Sequence, residues 1–233
     1  MKKWNWQQIL NRFVFTVLIL SIIFLIFRIF FTPSEMQLPN SREKSDYVLM
    51  LVQCILGVVA MMVPGFLSHK LKIEIPSMML VLYTIFLYAA IILGEVRSFY
   101  YTVSNWDTIL HTFSGAMLGA LGFSIVTLLN KTDRVPMNLS PLFVALFAFC
   151  FAVTLGVFWE IYEYTFDGVL GLNMQKFSME NGTLLMGRMA LYDTMKDLLV
   201  DCLGAFVMSL IGYLSLRYKT SFLSHIQIRR KKS

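Results

Sequence analysis

Asp107 and His111 stand four residues apart at the start of the apolar run SNWDTILHTFSGAMLGALGF, residues 104–123. That spacing puts both on one helical face. A carboxylate beside an imidazole can orient the ring for proton transfer, or both can hold a cation. Two further groups of acids have helical spacing. Glu160 and Glu163, in FWEIYEYTFD, lie at i and i+3 and are followed by Asp167. Asp193, Asp197 and Asp201, in YDTMKDLLVD, lie at i, i+4 and i+8. At 1.5 Å per residue these three make a stripe about 12 Å long. Solvent exposure is the simpler account of Asp167 and Asp193 taken alone.

So many carboxylates gathered in a low-dielectric cavity need compensation. A divalent cation, shared protons or basic partners would each supply it. The candidate basic partners are Arg188, Lys196, Arg97 and His111. The expected metal ligands are Glu160, Glu163, Asp197 and Asp201. Carboxylates with one histidine suit Mg²⁺, Mn²⁺ and Zn²⁺ alike, so a divalent cation is expected without a fixed identity. No HExxH, CxxC or paired HxxxH motif is present to narrow it. For chemistry, the candidate catalytic residues are Asp107, His111, Glu160 and Asp197. Arg188 is the candidate clamp for a substrate phosphate or carboxylate.

The elements that must position these groups are membrane helices. Of the 233 residues, 57% are hydrophobic and only 15% charged, where a soluble domain carries roughly a quarter. The apolar residues form six long runs, at about 12–31, 47–67, 76–94, 107–129, 141–164 and 193–216. Each approaches the ~20 residues that a helix needs to cross ~30 Å of hydrocarbon. Backbone amides in lipid must bond within the segment, and no period-2 barrel pattern competes. The expected fold is an all-α polytopic transmembrane bundle of about six spans, forming a single integral membrane domain over 1–233. The first run has a basic start but exits as FRIFFTPSEM without a small-residue cleavage site, so it reads as a retained anchor. Cys54, Cys150 and Cys202 form no CxxC pair and read as small buried packing residues.

Orientation follows from lysine and arginine. With the N-terminus in the cytoplasm, the inner segments hold 13 of these residues and the outer segments 7, and an even span count returns both termini to the cytoplasm. The basic tail, 217–233, ends in RRKKS and is expected to lie at an anionic cytoplasmic leaflet. The lipid bilayer is the expected partner. Nucleic acid is not, because no soluble domain accompanies the tail. The outer connection 165–192 is long enough to be functional or folded onto the bundle. Its NGT at 181–183 reads as a chance glycosylation match. His69 and His225 fall in cytoplasmic segments and are set aside. The aromatic residues Tyr100, Tyr101, Trp106, Trp159, Tyr162 and Tyr164 read as interfacial belts.

In this orientation seven of the fourteen acidic residues sit at the outer ends of three spans. Each acidic stripe continues inward as small residues: Asp107, His111, Gly115 and Gly119; then Ala148, Ala152, Gly156 and Glu160; then Asp201, Ala205 and Ser209. Small residues at four-residue intervals let membrane helices approach closely. The last three spans are therefore expected to meet, with the polar groups lining an outward-facing cavity.

WDxxLH followed by SGxxLGxxGF, then WExxE, GLNMQ and DTMxDLxxDxxG, resemble bacterial YjdF-like multi-pass membrane proteins. More distantly, the last three spans are similar to VanZ-like proteins. That family pairs D-xxx-H on one helix with E-xx-Q and D-xxx-N-xx-G on two others. Asp107, His111, Glu160, Asp197 and Gly204 match, while Glu163 stands for Gln and Asp201 for Asn. Both departures add a carboxylate. The resemblance implies a role in the bacterial cell envelope, with association to low-level glycopeptide resistance, and supplies no reaction. Three functions stay open: a membrane-embedded enzyme on a lipid- or envelope-linked substrate, a cation or proton-coupled transporter, and a structural or partner-recruiting protein. The enzyme ranks first. Polar groups are sparse in the inner halves of the spans, and no inverted repeat relates the halves of the chain.

Overall fold

The computed structural model describes residues 5–31, 44–130, 138–179, 183–220 and 226–231. Lys2, Lys3, Arg42, Lys131, Arg134, His225 and Lys232, which entered the orientation argument or were set aside, lie outside them, as do Asn181 and Gly182 of the NGT match. Six helices among the described residues are long and apolar enough to cross a membrane. They are α1 (Trp6–Phe31), α2 (Lys44–Lys70), α3 (Ser77–Leu87, continued as a π-helical stretch Tyr88–Val96), α5 (Trp106–Asn130), α6 (Pro141–Leu170) and α7 (Tyr192–Arg217). A single short turn, α4 (Phe99–Thr102), precedes α5. The described chain is all-α apart from two two-residue strands and one isolated bridge. The six-span helical architecture expected from the sequence is therefore present.

Local signals account for the clearest boundaries. Ser140 caps α6, its Oγ accepting from the Phe143 amide at 3.2 Å, and Pro141 follows at the first helical position. Gly171, at φ 65°, ends α6 in the left-handed region that glycine enters without penalty. The helix continues beyond 164, so Asp167 sits in its last turn rather than in the following loop.

The chain divides into two compact units, one built on α1–α4 and the other on α5–α7 with residues 72–78. In the first, Val14, Leu18, Leu25, Met50, Cys54, Leu87, Ile91 and Ile92 form a buried apolar cluster. Asn11 is satisfied there by the Thr84 hydroxyl, which donates to it at 2.7 Å. In the second, Phe123, Val126, Val144 and Ala148 form the apolar cluster. Strands β1 (Ile73–Glu74) and β2 (Arg229–Arg230) pair antiparallel in this unit. Ile228 is buried, and its amide donates to Ser124 Oγ of α5. The basic tail is thus stapled to the end of the unit opposite the acids. The cysteines only partly match expectation: Cys54 is buried, Cys202 intermediate and Cys150 exposed. Cys150 lies off the buried stripe of α6 that carries Ala148 and Ala152.

The small-residue stripes are the packing faces of the second unit. A Cβ built on Gly115 of α5 would lie 2.3 Å from the carbonyl oxygen of Asp201, and one on Gly204 of α7 would lie 2.2 Å from that of Thr112. These are backbone contacts that cannot rotate away. A Cβ on Gly156 of α6 would meet Asp201 Oδ2 at 2.9 Å, and one on Gly122 would meet Ala148 Cα at 3.1 Å. All three helix pairs therefore meet at a glycine. Overpacking of this kind costs about 1–3 kcal/mol. Gly115→Ala and Gly204→Ala should each lower the thermal unfolding midpoint of the detergent-solubilised protein by at least that equivalent. Gly65→Ala, where a Cβ meets nothing within 4 Å, should leave it unchanged or raise it. Equal midpoints for all three would remove the close-packing account.

Candidate functional site

The N-terminal turns of α5 and α7 and the C-terminal turns of α6 bring the acids together. Asp107, His111, Glu160, Glu163, Asp197 and Asp201 all lie in this unit, and all but Asp107 are buried. Asp197 is 2% exposed and Asp201 4%. Solvent-exposed helix ends, the plainer reading, are not what the fold builds for these residues.

His111 is the hub. Its Nδ1 lies 3.3 Å from Asp201 Oδ2. Its Nε2 lies 3.6 Å from Asp107 Oδ1 and 3.8 Å from Asp197 Oδ2. Only the first distance is a hydrogen bond. Asp201, rather than the sequence neighbour Asp107, therefore makes the orienting contact. Asp201 is itself held through its other oxygen, with Ser114 Oγ at 3.0 Å. Ser114 Oγ is also 2.9 Å from the His111 carbonyl, so its proton serves both acceptors. With Nδ1 against Asp201, Nε2 faces Asp107 and Asp197.

Lys176 supplies the fixed positive charge. Its ammonium donates to Asp107 Oδ2 and, at 3.3 Å, to both oxygens of Asp193. It comes from the connection between α6 and α7, directly after GLNMQ. Asp167 anchors that connection by accepting from the amides of Met174 at 2.7 Å and Gln175 at 3.0 Å. The Gln175 side chain reaches back to Thr194 at 3.0 Å and to Glu160 Oε2 at 3.4 Å. Asn173 closes the turn through the amide and carbonyl of Ser178. Asp167 is thus a buried loop anchor and Asp193 a lysine partner, not solvated helix-end charges. Arg188, the expected substrate clamp, lies on a single 3₁₀ turn, Gly187–Met189, and is exposed. Lys196 is half-buried, and Arg97 belongs to the first unit.

Glu163 accepts from Trp159 Nε1 at 2.9 Å, so this tryptophan does more than line an interface. Two carboxylate oxygens are buried without a hydrogen-bond partner among the described residues: Asp197 Oδ1 and Glu160 Oε1. Buried polar atoms normally find partners, and exceptions at acidic sites mark places where a proton, ion or ligand belongs. Sequence reasoning reached the acids and His111 through their helical spacing. It missed Lys176, Gln175 and Trp159. The GLNMQ motif immediately before Lys176 was the available signal for the first two.

A family described as predicted membrane protein (DUF2238) matches residues 10–218. The chain belongs to this family. A protein of Thermotoga maritima, titled "Uncharacterized protein", is 33% identical over 124 residues, covering 52% of this chain and 55% of that protein. The chain thus spans about half the length of that relative. No solved structure matches. The family and the six apolar helices together make this a multi-pass membrane protein.

Burial disfavours the charged ammonium of Lys176, but the charges of Asp107 and Asp193 outweigh it, and its pKa is raised above the ordinary lysine value. The ion pair's contribution is therefore complete below the unfolded pKa, near ~10.4, and is lost only as pH rises through the higher folded value. A one-unit rise cuts the free amine about tenfold. At pH 9, acetylation of Lys176 followed by mass spectrometry should be at least about tenfold slower than that of exposed Lys219. Asp107→Asn should narrow the gap. Equal rates in the unaltered protein would contradict the buried pair.

Proposed function

We propose that this member of the family is a membrane-embedded enzyme acting on a lipid- or envelope-linked substrate at the outer face of a bacterial plasma membrane. Its spans form one integral membrane domain, with both termini cytoplasmic and the acidic end of α5–α7 facing outward. One observation carries the reading: a histidine fixed by Asp201 presents Nε2 between two further carboxylates, in a buried cluster that retains unpartnered oxygens. A site that only held helices together would pair those oxygens internally.

The roles follow from the geometry. Asp107, Asp197 and the Nε2 of His111 receive the polar or positive part of whatever occupies the space between them. Glu160, buried with one oxygen unpartnered, is the group for proton transfer. Glu163, bonded to Trp159, adds negative charge beside it. Exposed Arg188 lies on the loop and meets an anionic headgroup before the substrate enters. Small residues of all three helices pack tightly along the stripes leading inward from the cluster, at Gly115, Gly122, Ala148, Ala152 and Gly204. A closed floor favours a dead-end reaction site over a transport path. The YjdF-like and VanZ-like resemblances support the envelope setting.

The test is expression in a glycopeptide-susceptible bacterial host, with mass spectrometry of its lipid-linked and envelope components. The unaltered protein is expected to shift that profile or the susceptibility. Glu160→Gln and Asp197→Asn should abolish the shift while inserting at normal levels. A shift that persists in both variants would overturn the enzyme reading. Liposomes that conduct cations through the unaltered protein, and not through the variants, would replace it with transport.

A further inference from the structure

The contacts around His111 have a second regularity. Two of the three groups facing the central space are held from behind, and the third is not. Asp107 turns Oδ1 toward His111 while Lys176 holds Oδ2. His111 turns Nε2 toward the carboxylates while Asp201 holds Nδ1. Asp201 in turn is held by Ser114. Asp197 turns Oδ2 toward His111, and its Oδ1 is buried with no partner among the described residues. The Asp197 side chain is 3% exposed. Leaving such a carboxylate half-satisfied is costly unless a proton or a cation completes it.

One ligand atom each from Asp107, His111 and Asp197 lies within 4.8 Å of the other two. The Nε2 distances of 3.6 and 3.8 Å are too long for hydrogen bonds. They are close to the separation of about 3.4 Å between ligands held about 2.1 Å from a tetrahedral metal. We propose that Asp107, His111 and Asp197 bind one divalent transition-metal ion, zinc or manganese. Asp201 and Lys176 are the outer groups that orient the ligands. The inference rests on the site described above and deepens the enzyme reading. It gives the cluster its missing positive charge and assigns Nε2 of His111 as a ligand.

The ligand set differs from one drawn on Glu160, Glu163, Asp197 and Asp201. Glu163 is engaged by Trp159, and Asp201 by Ser114 and the ring Nδ1. Three protein ligands leave a coordination position open, as catalytic metal sites do and structural ones do not. Glu160 then lies outside the ligand set, and its unpartnered Oε1 remains available for proton transfer. A carboxylate behind a ligating imidazole fixes its tautomer and raises its basicity, and loss of such an outer partner typically weakens metal binding 10–100-fold.

The experiment uses the full chain in nanodiscs, stripped with chelator and titrated with Zn²⁺ or Mn²⁺ alone. One ion per chain is expected. Asp197→Asn and His111→Gln should remove saturable binding, and Asp201→Asn should weaken it by about 10–100-fold. Glu163→Gln should leave it within a few fold. Pulsed electron paramagnetic resonance of bound Mn²⁺ should show coupling to one imidazole nitrogen, a readout that does not depend on any variant folding. Absence of saturable binding, or bound Mn²⁺ without nitrogen coupling, overturns the proposal. If metal does not bind but Asp197→Asn still abolishes the envelope effect, the metal centre fails and the enzyme reading stands. If metal binds as expected but the envelope profile never changes, the metal centre stands and the enzyme reading fails.

Discussion

The backbones of α5 and α7 touch, and the rest of the second unit follows from that contact. Gly115 faces the carbonyl of Asp201, and Gly204 faces the carbonyl of Thr112. The contact is reciprocal: each helix offers its glycine to the other's main chain. At this separation the short side chain of Asp201 reaches across to His111 and Ser114 on the neighbouring helix. A longer interaxial distance would take Asp201 out of hydrogen-bond reach of both. Gly156 brings α6 to the same aspartate from another side. Close packing and polar chemistry are therefore one constraint, because the residue at the contact is also the one that orients the histidine.

The cluster is asymmetric in its satisfaction. Asp201 and Asp167 have both oxygens engaged, by a hydroxyl and an imidazole in one case and by two backbone amides in the other. Asp197 and Glu160 each retain an unpartnered oxygen. Residues of the first kind position the loop and the ring. Residues of the second kind hold capacity in reserve, at a depth where reserve is expensive. This division separates fully engaged carboxylates from half-engaged ones within a group of side chains that are chemically alike.

Much of this was legible in the sequence. The six apolar runs became six helices, and the i, i+4 pattern of Asp193, Asp197 and Asp201 identified one face of α7. The small-residue stripes below the acids marked the packing faces because glycine and alanine at that spacing have a direct steric meaning. What the pattern left out is equally physical. Lys176 meets Asp107 across 69 residues of chain, and no periodicity encodes a contact made by a loop. Asp167 looked like a solvated helix end, yet the loop folds back and buries it under its own amides. The π-helical stretch Tyr88–Val96 lies in a run indistinguishable by composition from ordinary helix. Arg188 shared the charge and the loop of the true partner, and only the path of the backbone separates them.

The pairing of residues 73–74 with 229–230, and the bond from Ile228 to Ser124, have a consequence for how the molecule is assembled. The second unit takes one strand from a stretch that precedes most of the first unit's third span in the chain. Residues 72–78 therefore wait, during synthesis, for a partner made some 150 residues later. The later strand reaches back past four spans, α3 and α5–α7, to the earlier one, so the unit closes like a stitch drawn tight from its far end. Cutting the chain at 106 would leave the two paired strands on separate pieces, because the second unit is not contiguous in sequence.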